Sequence, residues 1–261
     1  MPVEIAVPPV ADAAGVATPT VPAARDVAPT VVDLATSSVR ELNAALHAAT
    51  DGAFLVTAPQ GRHSLAVGLR APLEVTIDGH AGYYAAGMNQ HATVRVTGNV
   101  AVGCAENMMS GRVEVGGAAG QAAAATAHGG LLVVRGDAGA RCGISLKGAD
   151  VVVEGSVGHA TAFMAQKGRI VVLGDAGEAL GDSLYEARIY VRGAVASLGA
   201  DCVEKPMRDE HLAEVAALLA AAGRDDVDPR SLRRYGSARE LYHFTADRVP
   251  AAGPADPAPE A

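Results

Sequence analysis

The residues of this chain able to do chemistry are scattered, and their spacing limits what they can do. Cys104, Cys142 and Cys202 form no Cys-x-x-Cys pair, and no histidines gather beside them. That spacing suits neither a zinc nor an iron–sulfur site, so the cysteines read as small buried hydrophobes. Three cysteines in 261 residues make no disulfide framework and point to a reducing compartment. His80, His91, His128 and His159 pair with no Ser or Cys nucleophile at a recognisable spacing. Asp150, Glu154, Asp175, Glu178, Asp182 and Glu186 supply carboxylates of the kind a polysaccharide-cleaving groove would use. Such a groove is lined with aromatics, which are only 3% of this chain, with no Trp. The reading assigns no catalytic, cofactor-binding or metal-binding residue.

Other residues suggest contacts rather than reactions. Tyr83, Tyr84, Met88 and Asn89 form the bulkiest amphipathic stretch in a small-residue chain and suit a partner interface; packing beneath a neighbouring segment is the competing reading. Lys205, Arg233 and Arg234, within a basic run over 224–239, are candidate contacts for an acidic partner, against the plain alternative of a solvated helix face.

These positions must be held by a fold whose core is narrow. Glycine is 30 of 261 residues, hydrophobic residues are 49%, and net charge is −8, which offers no basic field to a nucleic-acid backbone. No apolar run reaches the roughly 18 residues needed to span a bilayer. The N-terminus has no positive segment followed by an apolar one, so a cytoplasmic protein is expected.

The organising signal is a period of 19. Gly79, Gly98, Gly117, Gly136, Gly155, Gly174 and Gly193 recur at that interval without an insertion. Two positions earlier stand Ile77, Val96, Val115, Val134, Val153, Val172 and Val191, and four earlier Val75, Val94, Val113, Leu132, Val151, Ile170 and Ile189. Three positions after each anchor, Gly recurs at 82, 120, 139, 158 and 177 and Ala at 101 and 196. Alternating aliphatics ending at Gly describe a short strand with inward side chains two apart, and the Gly is read as a turn residue at positive φ. One such strand cannot bury its apolar side alone. Stacked coils, about 4.8 Å apart, turn each column into a ladder. An all-β solenoid is therefore expected: a right-handed parallel β-helix of about seven 19-residue coils, with short α-helical N- and C-terminal caps. The period excludes a hexapeptide helix and the calcium-binding nonapeptide repeat.

The flanks complete the plan. Residues 1–29 read as a Pro/Ala-rich flexible arm. Residues 30–72 read as an N-terminal cap, with a capping box at Ser38–Glu41 opening a helix and short strands at Phe54–Thr57 and Leu65–Val67. The β-helix takes 73–202. Residues 203–249 read as a helical extension, its first helix opening at Asp209, a second short one at Asp228-Pro229, and Glu240-Leu-Tyr-His-Phe244 ending the folded part; 250–261 is a tail.

The seven Gly anchors with Gly at +3 resemble the GXGXG domain of glutamate synthase, over about residues 36–205. The same domain serves as the C subunit of formylmethanofuran dehydrogenase. Gly82-Tyr-Tyr-Ala-Ala-Gly-Met-Asn-Gln90 looks like the family's first coil. Gly199-Ala-Asp-Cys-Val-Glu-Lys-Pro-Met207 and Glu240–Phe244 look like the glutamate-synthase branch, above all its standalone small subunit of N-methylglutamate synthase complexes. The resemblance implies a non-catalytic scaffold subunit that carries no cofactor itself. One partner would be a class II glutamine amidotransferase-like subunit, and another would carry FMN and an iron–sulfur cluster. In the methylamine version, the complex would replace the amino group of glutamate by methylamine. The alternatives are a subunit of a formyl-transferring complex and a free-standing β-helix enzyme.

Overall fold

In a computed structural model, which describes residues 28–240, every coil of the periodic region forms one short strand. These are β3 (Glu74–Ile77), β4 (Thr93–Val96), β5 (Arg112–Val115), β6 (Leu131–Val134), β7 (Lys147–Val153), β8 (Lys167–Val172) and β9 (Arg188–Val191). Each pairs in parallel with the next, Val75 opposite Val94 opposite Val113, and so on to Ile189. Both aliphatic columns are buried. A third inward column, Ala81, Val100, Ala119, Ala138, Val157, Ala176 and Val195, is joined by one parallel bridge per coil. The solenoid and its period are as expected.

The ladder starts earlier than the period does. β1 (Thr30–Asp33) and β2 (Ala53–Thr57) also pair in parallel, and β2 pairs with β3. The segment expected as a separate cap thus extends the sheet by two strands. Helix α1 (Val39–Ala48) does form, opened by the Ser38–Glu41 capping box, with Leu42 and Leu46 buried. Leu65–Val67 is not a strand but part of a turn in which Ser64, Ala66 and Gly68 are all left-handed.

That turn recurs in the next six coils and explains much of the alanine content. Residues at three alternating positions are left-handed, for example Ala122, Ala124 and Thr126 with φ of 58°, 55° and 53°. Amides of such residues reach alternately up and down the stack: Gly103 N donates to Gln121 O, Ala105 N to Ala85 O and Asn107 N to Ala125 O, each at 2.9 Å. Left-handed backbone costs an L-residue about 1–2 kcal/mol. The inter-coil bonds offset that cost, and the middle position holds only Ala or Gly, from Ala86 to Gly181.

The anchor glycines require a correction. Only Gly79 has a positive φ, at 135°; Gly98, Gly117, Gly136, Gly155, Gly174 and Gly193 do not. What they require is closeness. A Cβ on Gly155 would lie 2.2 Å from Asp137 Oδ1 and 2.8 Å from both carbonyl atoms of Gly136. The following residues act as acceptors between coils: Asn99 N donates to His80 Nδ1, Ala118 N to Asn99 Oδ1, Ser156 N to Asp137 Oδ1, Asp175 N to Ser156 Oγ and Ala194 N to Asp175 Oδ1, at 2.7–3.0 Å.

The C-terminal part does not cap the last coil with helices. β11 (Arg233–Ser237) inserts antiparallel between β9 and β10 (Cys202–Lys205), so the sheet order is β1 to β9, then β11, then β10. A parallel edge strand would expose a row of unpaired backbone groups, and β11 covers it. Helix α2 (Asp209–Ala221) instead lies on the outer face of the sheet, burying Val215, Leu218 and Leu219 on Val133, Val152, Val171 and Tyr190. The expected second helix is one short 3-10 turn, Pro229–Ser231, and Arg233 and Arg234 are strand residues. The last carbonyls of α2 are bonded by arginines of the coils: Arg112 Nη1 donates to Ala221 O at 2.8 Å and Arg135 Nη1 to Ala222 O at 2.9 Å. The motif residues Leu241–Phe244 lie outside the described residues.

Candidate functional site

The three thiols are enclosed by the coils, and burial pushes each up to about 12. They remain protonated near neutral pH and act as core filler. His80 is an acceptor in the inter-coil ladder; His91 and His128 are exposed along one groove of the coils, and His159 is exposed outside it. Of the carboxylates, Asp150 and Glu186 line that same groove. Asp150 makes a bidentate pair with Arg169 at 2.6 Å, Glu154 joins Arg135 and Arg224, and Asp175 serves the ladder. Among the described residues, no group of three or more His, Cys, Asp or Glu side chains could hold a metal ion. No helix among them is long and apolar enough to cross a membrane.

The interface candidates divide. Tyr83 is 54% exposed and stacks on His63 with ring centroids 4.6 Å apart; Met88 is 43% exposed. Tyr84 is half-buried, lying over Gly87 and towards Gly103. Asn89 is fully buried, its Nδ2 donating to Ala92 O at 2.8 Å, so it cannot meet a partner. Sequence reasoning missed Val102 and Met109, also exposed; Val102 takes the position of Tyr83 one coil later, which the period could have revealed. Arg233 donates to Gly193 O and lies over the Tyr235 ring, and Arg234 Nε donates to Pro206 O at 3.1 Å.

A groove of about 1270 Å³ runs beside α2 along the coil edges. Positive-φ glycines, including Gly111, Gly130, Gly148 and Gly168, line it, and a Cβ on any of them would meet a backbone carbonyl of the neighbouring coil. Lys147 and Lys167 also line it and stand directly opposite each other, where the register of β7 and β8 shifts. Like charges so placed repel, and neither lysine is ion-paired with a described residue. At its far end the groove shares Arg188, Lys205, Arg234 and Arg239 with a second, cationic pocket of about 540 Å³.

Protein GlxC of Rhizobium meliloti (strain 1021) is 56% identical to this chain over 225 residues, which is 85% of this chain and 99% of the relative. The chain belongs to the GlxC family. No protein-family model matches it. A match of that length within 261 residues takes in all of β3 to β9, so the coil stack lies within the sequence shared with that relative.

Proposed function

We propose that this GlxC-family chain is the structural subunit of a glutamate synthase-like complex. In this reading it holds a class II glutamine amidotransferase-like subunit and an FMN and iron–sulfur subunit at a fixed separation, with N-methylglutamate as the product. The observation that supports it most is the parallel ladder from β1 to β9, whose inward aliphatic columns stay aligned from β3 to β9 with one register shift, between Lys147 and Asp150 in β7. Such a stack is a rod of roughly 40 Å, at about 4.8 Å per strand. It deforms little, because each coil is bonded to both neighbours. Orientation of two reacting centres can by itself be worth large rate factors. The exposed Tyr83, Met88, Val102 and Met109 offer apolar contact area on the coil edges. The Gly199–Met207 motif supports the glutamate-synthase branch over a formyl-transferring one.

Reconstitution tests this. An amidotransferase-like and an FMN-dependent synthase-like subunit from the same source are assayed for glutamine-dependent synthesis with and without the chain, and the purified chain is measured for visible absorbance and iron. Coupled activity should depend on the chain, and the chain alone should be colourless and iron-free. Full coupled activity in its absence, or a flavin or iron spectrum on the isolated chain, overturns the reading.

A further inference from the structure

A concentration of positive charge on this acidic protein sits where β9, β10, β11 and the start of α2 meet. Arg188, Lys205, Arg208, Arg234 and Arg239, with His211, line the pocket of about 540 Å³, and Glu210 is its one carboxylate. We infer that this pocket binds a small polyanion carrying two or more phosphate or carboxylate groups.

The described residues neutralise these charges only in part. Arg188 is paired with Glu214 at 2.5 Å, and Arg208 approaches Glu210 only to 3.7 Å. Lys205 and Arg239 have no side-chain ion pair among the described residues, and Arg234 uses only its Nε, on Pro206 O. The cations come from separate elements, so only the folded end of the sheet assembles them. Their mutual repulsion is visible in the groups between them. Arg234 is held below the ordinary guanidinium value by burial and by Arg188 and Arg208. His211 is held below the ordinary imidazole value by burial, then by Arg234 and Arg188, against the opposing pull of Glu210 and Glu214.

The size and chemistry narrow the ligand. A cavity of this volume takes a small molecule. One anionic group would leave most of the cations unmatched, whereas two or three could take bidentate bonds from the free guanidinium nitrogens. The start of α2, which supplies Arg208, Glu210 and His211 to the lining, adds the positive end of its dipole. A flat bilayer cannot enter a concave pocket, and a net charge of −8 opposes a long nucleic-acid backbone.

The test is thermal shift and calorimetric titration of the full chain with inorganic pyrophosphate and with citrate, against sodium chloride at matched ionic strength. At least one should raise the midpoint saturably, and which one does so separates phosphate from carboxylate recognition. The double variant Lys205→Gln, Arg239→Gln removes two side chains bonded to nothing described and should fold normally by circular dichroism. It should bind at least tenfold more weakly. Arg208→Gln, at an exposed side chain, serves as the second variant with the same expectation. Lys147→Gln, outside the pocket, should bind as the parent does. No shift beyond the chloride control, or binding unchanged in both pocket variants, overturns the proposal. If neither anion binds but the double variant fails to assemble with partner subunits, the cluster is a protein contact and the small-ligand proposal is overturned.

Discussion

A methylene or a hydrogen is enough to matter at the anchor positions, because they are where one coil's backbone touches the next. Gly155 lies mid-stack, with Asp137 Oδ1 and the Gly136 carbonyl within 2.8 Å of where a Cβ would stand. Asp137 Oδ1 accepts from Ser156 N at 2.7 Å, so moving it also releases an amide. Gly155→Ala should therefore destabilise by about 1–3 kcal/mol, the usual cost of overpacking. A denaturant midpoint equal to the parent's would show that the coils can separate locally. The opposite substitution class is tolerated in the acceptor column, where His, Asn, Asp and Ser all do the same job: an oxygen or ring nitrogen at the right height receives the amide above.

Strands are specified here by their neighbours more than by themselves. Four residues such as Thr93–Val96 have little intrinsic stability, yet each is bonded on both edges and buries its two inward aliphatics. Register is consequently shared by the whole sheet. Inserting one residue after Gly136 should rotate the inward columns of β7 to β9 out of line and abolish the docking of α2 on Val152, Val171 and Tyr190. The expected loss is several kcal/mol, far beyond the roughly 0.5 kcal/mol of an ordinary surface change. A thermal midpoint unchanged by the insertion would contradict coil stacking. The arginines that bond the end of α2 come from the coils, which ties the helix to the same register.

At the scale of the molecule, the two faces of the rod differ. One side carries α2 and the cationic groove, and elsewhere the coil edges leave Tyr83, Met88, Val102 and Met109 in solvent. Tyr83→Asp loses only a stacking contact with His63, so the isolated chain should keep its thermal midpoint within a degree or two. In the proposed complex, the same change should weaken assembly by tenfold or more, measured by size-exclusion chromatography against partner concentration. Assembly at parental affinity would exclude this edge as the docking surface and leave the scaffold reading to the reconstitution assay.

The sequence by itself determined the period, the inward columns and the parallel stack. Each rests on local alternation repeated seven times, and repetition makes a weak four-residue signal unmistakable. It also carried an unread signal for the helix: the outward strand position changes from Thr76, Arg95 and Glu114 to Val133, Val152, Val171 and Tyr190, marking where the sheet is covered. Tertiary structure alone decided three things. The anchor glycines serve close approach rather than positive φ, because the distance between coils is not a property of any one turn. The alternating left-handed residues are Ala, Thr, Ser and even Tyr84 and Arg141, types that prefer other conformations and are held there by amide bonds to the coils on either side. The cationic pocket joins Arg188 to Arg239 across β9, β10, β11 and the start of α2, because β11 turns back antiparallel to close the sheet. No spacing along the chain encodes that closure, since it is the exposed edge of the last parallel strand that requires it.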